Sequence, residues 1–542
     1  MKAMKGNGNK MWRVFFVFGL ALVLLASRGA LTSAQEKVKP KYGGILRMWL
    51  KRDATTNDPN RWRGATVYSP ATLVFSNLVR CSMQDLTAVE PDLAKSWAIS
   101  ADGKVYTFHL FENVKWHDGK PFSAEDVKYS LEKMTDPKKG VETARLFPNF
   151  ERAEVVDKNT VKVYLSEPQG SFLPFLTIAH CKVQSKHIAE AGTHHQSPGW
   201  LVGTGPFKLK NYNKGISWEV ERYADYHREG LPYLDGIAAY FMEDVEAQKS
   251  SLIAKRVDMS APGSAYRAIQ DIEAIRASDP KIVFQPCIFG QGWGVLLNLK
   301  NPAAPWQDQR VRKAISLVVD QKEQIMAVQG SELFAAPGGY LYPFGSYALP
   351  AKELARYQGT DKPYEERVAE AKRLMAAAGF SQGFEAVLLC RAQDPRHTRS
   401  AQMLAEQVRR IGITLKIDER EEATYLKQRG DGKFEWVLDS IESTVGDPQE
   451  QLLPFHTGEY LNYAGYSNPK FDELFVRSSQ VTGAERVKVV QEAARELWKD
   501  LPFVVFEYYG YVIGLQPYVK DFNNPGVLPL DWGLFDQVWL DK

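Results

Sequence analysis

Lys95 to Met134 is the stretch that leaves this chain the fewest structural choices. Lys104-Val-Tyr-Thr-Phe-His-Leu110 alternates its side chains with period two, as a half-buried strand must, and Asp102-Gly103 before it is a turn dipeptide. Asn113 to Trp116 continues extended, Asp118-Gly119 turns again and Pro121 punctuates. Ser123-Ala-Glu-Asp126 then supplies an N-cap and first-turn acids, which meet the exposed amides and positive dipole end of a helix. Val127, Leu131 and Met134 give that helix one apolar face. The block predicts a rigid hairpin followed by a helix, and it carries no chemistry of its own.

Elsewhere the pattern is one of alternating elements. Gly43 to Trp49 reads as a first strand, and Tyr68 to Val79 as a helix with Leu73 and Leu78 inward. At Gly203-Thr-Gly-Pro-Phe207, glycines and a proline suit a tight backbone crossing. No G-x-G-x-x-G follows and no helix starts there, so this is not a nucleotide fingerprint. Gly290-Gln-Gly-Trp-Gly294 is expected to precede a strand from Val295 to Leu299. Glu365 to Ala378 predicts a helix ended by Gly379. Phe384 to Leu389 is a strand, a helix follows to Ile411, and Ile413, Leu415 and Ile417 alternate in the next strand. This β-α-β order predicts a mixed α/β region with a crossover. The terminal Val538-Trp539-Leu540 is expected to dock back on the first domain.

Ser96-Trp97, Ser100, Asp102-Gly103, Tyr106, Phe108, Leu110, Val114, Trp116-His117-Asp118-Gly119, Phe122, Ala124 and Asp126-Val127 together resemble the family-5 extracellular solute-binding proteins. These are the dipeptide, oligopeptide and nickel receptors of ABC importers. Gly203 to Phe207 resembles the family's "GTGP(F/Y)" return strand, and Asp308-Gln-Arg-Val-Arg-Lys-Ala314 its "D-x-R-VR-x-A". The resemblance spans nearly the whole mature chain. It implies an α/β, two-lobed hinged periplasmic binding protein fold (class II, cluster C type) with an extra domain and mixed sheets. The implied division is a signal peptide at 1–34, domain I at 35–80, 205–270 and 510–542, domain II at 81–204, and domain III at 271–509. It also implies that two lobes close on a small-molecule or peptide ligand and present the closed shape to permease subunits in the inner membrane. A monomer without cofactor or metal is expected.

The length of 542 residues exceeds what one core supports. Lys2, Lys5, Lys10 and Arg13 precede the apolar run Val14 to Ala26, and small residues stand before Gln35, the pattern of a cleaved secretory signal. No cysteine lies near that cleavage site, so a lipid anchor is not expected, and the mature protein should be periplasmic. Removing residues 1–34 takes five basic residues and no acids, leaving 63 basic against 65 acidic. No basic stripe argues for nucleic acid. Cys81, Cys181, Cys287 and Cys390 allow three disulfide connectivities or none, and no Cys/His metal-ligand spacing occurs.

Candidate ligand contacts come from segments that line the cleft in the resembled proteins. Tyr68 stands on the expected first helix, as a cleft or a core residue; Trp293 stands among small residues, its ring free to stack on a ligand or buried at a crossover; and Arg391 follows a strand, suited to a carboxylate or solvated in a loop. Trp436 to Pro448 resembles the family's "D-x-x-DP" region, with Trp436, Glu442, Thr444 and Asp447 as candidates. In peptide receptors an aspartate three residues before that final acid pairs with the peptide ammonium. Thr444 stands at that position here, so either peptide binding is in doubt or a gap restores Glu442. Two rival readings are an exported hydrolase using Glu442 and Asp447 as paired carboxylates, and a nickel or metal-chelate receptor using His194-His195. No G-x-S-x-G or H-E-x-x-H signature supports catalysis.

Overall fold

A computed structural model describes residues 39–62, 69–82, 88–442, 447–522 and 535–542. The expected signal segment, Tyr68 and Thr444 lie outside the described residues. Tyr42–Lys542 forms one compact unit.

Two sheets organise it. The hairpin block forms a four-stranded antiparallel sheet in the order Ala94–Ile99, Val105–Leu110, Thr160–Leu165, Phe150–Asp157. Helix α1 (Ala124–Thr135) starts as expected: the Asp126 carboxylate reaches back to accept from the Ser123 amide at 3.0 Å. Its Val127, Leu131 and Met134 are buried in the core they share with this sheet.

The larger sheet has eleven strands among the described residues. Its principal strands in chain order are β1 (Ile45–Leu50), β2 (Phe207–Asn213), β3 (Ser217–Arg222), β4 (Gly236–Phe241), β5 (Met259–Ser260), β6 (Val283–Leu297), β7 (Phe384–Arg391), β8 (Ile413–Arg420), β9 (Trp436–Glu442) and β10 (Phe503–Leu515). Side by side they run β8-β7-β9-β6-β10-β5-β1-β4-β3-β2, with Ala335–Ala336 paired to β10. The predicted crossover is present: β7 and β8 are parallel, joined by helix α2 (Pro395–Arg409). One core holds residues of the N-terminal half and the last thirty residues, and two others hold the faces of β6, β7, β9 and β10. Val538 and Leu540 sit in the first core, as expected.

Strands β6 and β10, of 15 and 13 residues, connect these cores. Gly290 to Gly294 therefore lies within a strand instead of preceding one. The glycines are what keep that strand continuous, because Gly292 and Gly294 let neighbours approach where a Cβ would stand 2.8 Å from Ile441 Cγ1 and 2.2 Å from the Val504 carbonyl oxygen. The register shifts between Ile288 and Gly292 and again between Trp293 and Gly294, which marks a bulge where the strand bends. The expected helix from Tyr68 shrinks to Ala71–Val74. Its end carbonyl, Val74 O, accepts from the Gly205 amide at 2.8 Å, so a distant strand takes the bond a further helical turn would need.

Glu507 lies opposite Trp293 at this bulge and is fully buried. Its Oε1 accepts from Gln329 Nε2 at 2.6 Å, while Oε2 has no partner among the described residues. Burial pushes its pKa up from 4.5 to about 7. The folded protein thus holds a proton that the unfolded chain has released, so the contribution is full below the unfolded value and is lost as pH rises through about 7. At ~1.4 kcal/mol per unit the loss is about 3 kcal/mol. Glu507→Gln should abolish this fall, measured as urea unfolding at pH 5 and pH 8. A variant with the wild-type pH dependence would contradict it.

Candidate functional site

Side chains alternate across β9, and this decides which candidates meet. Val437 and Ile441 face one core, while Trp436 and Leu438 face the other. At the C-terminal end of β9 lies a cavity of about 270 Å³. Its wall is Leu296 of β6, Asp439 to Glu442 of β9, Phe503 of β10, and the chain from Glu450 to Tyr463. That chain is introduced by helix α4 (Pro448–Leu452). Arg145, on the short turn Thr143–Leu146 of the N-terminal half, closes the perimeter.

The charges are arranged unevenly. Arg429, on helix α3 (Glu422–Gly430), donates to Asp439 at 2.7 Å and stacks over the Tyr463 ring at 5.0 Å. Burial raises the Asp439 carboxyl above its ordinary value, with Arg429 opposing. Glu442, exposed at the end of β9, accepts from Gln291 Nε2 at 2.8 Å and from the Ser440 hydroxyl at 3.1 Å. Both donors are neutral, so its negative charge stays available to a ligand.

The other candidates sit elsewhere. Trp293 is buried, its indole N–H given to Ser400 Oγ at 2.9 Å and its ring edge-on to His397, the packed one of the two arrangements its sequence left open. Trp436 is 0% exposed and packs edge-on against Trp306. Neither is among the residues that line the cavity. Arg391 spends its guanidinium on Asp394 and on Glu422 at 3.1 Å. Asp447 is 1% exposed, and Arg486 holds both its oxygens, at 2.6 and 2.9 Å, from helix α5 (Gly483–Asp500). Its Oδ1 also accepts from the Gln449 amide at 3.0 Å and so caps α4. A residue with that occupation is not the second carboxylate of a glycosidase pair with Glu442. Asp439, Arg429 and Arg145 were not among the sequence candidates, because partners far along the chain bring them together.

None of the four cysteines is in a disulfide. Among the described residues no set of three or more His, Cys, Asp or Glu side chains is placed to hold a metal ion, and no helix is long and apolar enough to cross a membrane. His195 is engaged by Thr56 Oγ1 at 2.9 Å and stacks on His194.

Comparison with known proteins agrees with this architecture. Residues 88–495 match the profile of the bacterial extracellular solute-binding proteins, family 5, and the chain belongs to that family. The dipeptide-binding protein DppE of Bacillus subtilis is 24% identical over 98% of this chain and 99% of its own. Heme-binding protein A of Haemophilus influenzae is 26% identical over 84% of this chain and 87% of its own. Among solved structures, HbpA2 from Haemophilus parasuis superposes with a TM-score of 0.79, covering 92% of this chain and 100% of its own at 23% identity.

Proposed function

We propose that this chain is the receptor of an ABC importer and that it encloses a small organic solute with a cationic group, peptide-like in character, in the cavity beside Glu442. The observation that carries this reading is Glu442, which lines the cavity and whose carboxylate accepts from two neutral donors. A cavity of about 270 Å³ lies near the small end of ligand sites, which favours a solute of modest size. Relatives include a dipeptide-binding protein and glutathione-binding proteins, which bind solutes of that kind. Asp447 keeps its structural pairing, and Glu442 serves as the ammonium partner that the Thr444 position lacks.

The division into lobes follows the cores, with the hinge at the bulge of β6 and the matching part of β10. Closure is driven by the solute's extra contacts in the closed form. Export by a cleaved signal before Gln35 places the mature protein where such a receptor meets its permease. Thermal shift against free and N-acetylated di- and tripeptides tests the ligand. A binder at a hundred times its dissociation constant adds about 2.7 kcal/mol of stability. Free peptides should shift the protein, N-acetylated ones should not, and Glu442→Gln should weaken binding at least tenfold. Equal binding of acetylated peptides would refute the role of Glu442.

A further inference from the structure

Three neighbouring strands are tied side chain to side chain at Glu442. Gln291 of β6 stands directly opposite Glu442 of β9. Across the other seam, Tyr509 of β10 lies between the pairs Ile288–Gly510 and Gly292–Tyr508. The Tyr509 hydroxyl donates to Gln291 Oε1, and Gln291 Nε2 donates to Glu442 Oε1 at 2.8 Å. Ser440 Oγ donates to that same Oε1 at 3.1 Å, and among the described residues no hydrogen bond reaches Oε2. One carboxylate oxygen is anchored and the other is open.

The direction of this relay is fixed by chemistry. Burial raises the Tyr509 pKa above its ordinary value, so the phenol keeps its proton and can donate it. A carboxylate only accepts. The amide between them satisfies both partners in one orientation, carbonyl to the phenol and NH2 to Glu442. Tyr509 is held in turn: Arg396 of α2 stacks over its ring at 3.8 Å, and Phe289 meets it edge-on at 5.9 Å. The relay sits where the register of β6 against β10 slips, and such bulges re-aim side chains. A lysine or arginine at position 291 would answer the Glu442 charge, whereas an amide orients the carboxylate and leaves its charge intact.

We propose that Gln291 and Tyr509 are positioning residues for the solute: the phenol orients the amide, the amide anchors Glu442 by Oε1, and Oε2 is thereby presented to the solute's cationic group. The inference rests on the receptor reading above, with Glu442 as the partner of the cation. A glutamate at an exposed strand end that rotates freely must give up that freedom when it binds. The relay removes the cost in advance, so Tyr509 sets affinity for the cation through two hydrogen bonds instead of by contact.

The test is a double-mutant cycle on the mature full-length protein, with di- and tripeptide affinities measured by calorimetry. Gln291→Met keeps the length of the side chain and removes both hydrogen-bonding ends. It should weaken binding about tenfold, the effect of losing a hydrogen bond to a charged group. Tyr509→Phe keeps the ring under Arg396 and removes only the donor, and it should weaken binding about threefold. In a Glu442→Gln background both substitutions should cost almost nothing further, whereas damage to the fold would weaken binding alike in both backgrounds. If either substitution leaves affinity unchanged, or weakens it equally with and without Glu442→Gln, the inference fails while the receptor reading stands. If Glu442→Gln by itself has no effect, or no peptide binds, the reading of Glu442 fails and the inference with it.

Discussion

Arg486→Met should destabilise the protein by about 3–5 kcal/mol, the usual result of stripping one partner from a buried ion pair. Both partners are almost wholly enclosed, with side chains 3% and 0% exposed. Burial works against the guanidinium charge, and Asp447 more than restores it, so the Arg486 pKa lies above its ordinary value. Methionine fills much of the volume but leaves the Asp447 carboxylate without its counter-charge. Arg486 also donates to the Tyr347 hydroxyl at 3.0 Å and to the Ser478 carbonyl oxygen at 2.9 Å, so three elements lose an anchor together. Adding Asp447→Asn removes the stranded charge and keeps an acceptor for the Gln449 amide. The double variant should therefore recover a large part of the loss, and denaturant unfolding of all four proteins gives the coupling directly. If the double variant is no more stable than Arg486→Met, the charge is not the cause. Because α4 leads into the Glu450 to Tyr463 wall, the single variant should also weaken solute binding.

Gly203→Ala should cost about 3 kcal/mol or more, at the upper end of what overpacking does. A Cβ there would lie 1.9 Å from the Val74 carbonyl oxygen, and one on Gly205 would lie 2.5 Å from Leu73 O. Backbone, which cannot rotate away, is the obstacle in both cases. His117 of the hairpin block fastens the same crossing: its amide donates to Gly203 O at 2.8 Å, its Nε2–H to Gly205 O at 3.0 Å, and its Nδ1 accepts from the Gly203 amide at 3.4 Å. Burial pushes the His117 pKa down to about 4, so the ring stays neutral and can donate and accept at once. Gly430→Ala is the control, since nothing lies within 4 Å of its Cβ position. It should be neutral or slightly stabilising. Equal melting temperatures for Gly203→Ala and wild type would show that the crossing tolerates a displacement this reading forbids.

Local chemistry determined a good part of this protein. Periodicity and turn dipeptides placed the hairpin of residues 94–110, first-turn acids placed α1, and the β-α-β run appeared as β7, α2 and β8. Each of these rests on forces between residues a few positions apart. The long-range pattern of tryptophans, glycines and Asp-Gly turns was legible too, and with it the family. Register and partnership were decided by the tertiary structure alone. Trp293 and Trp436 stood as candidate contacts, and the tertiary structure packs both into one core. Asp447 stood as a candidate contact, and the fold pairs it with an arginine 39 positions away. Glu442, one position past Ile441 at the exposed strand end, kept a charge that only neutral groups touch. Arg145 gave no sign in its own neighbourhood, since the acids facing it lie about 300 residues further along. A carboxylate's chemistry depends on whether a counter-charge reaches it and how much water remains, and both depend on segments brought together only by the fold.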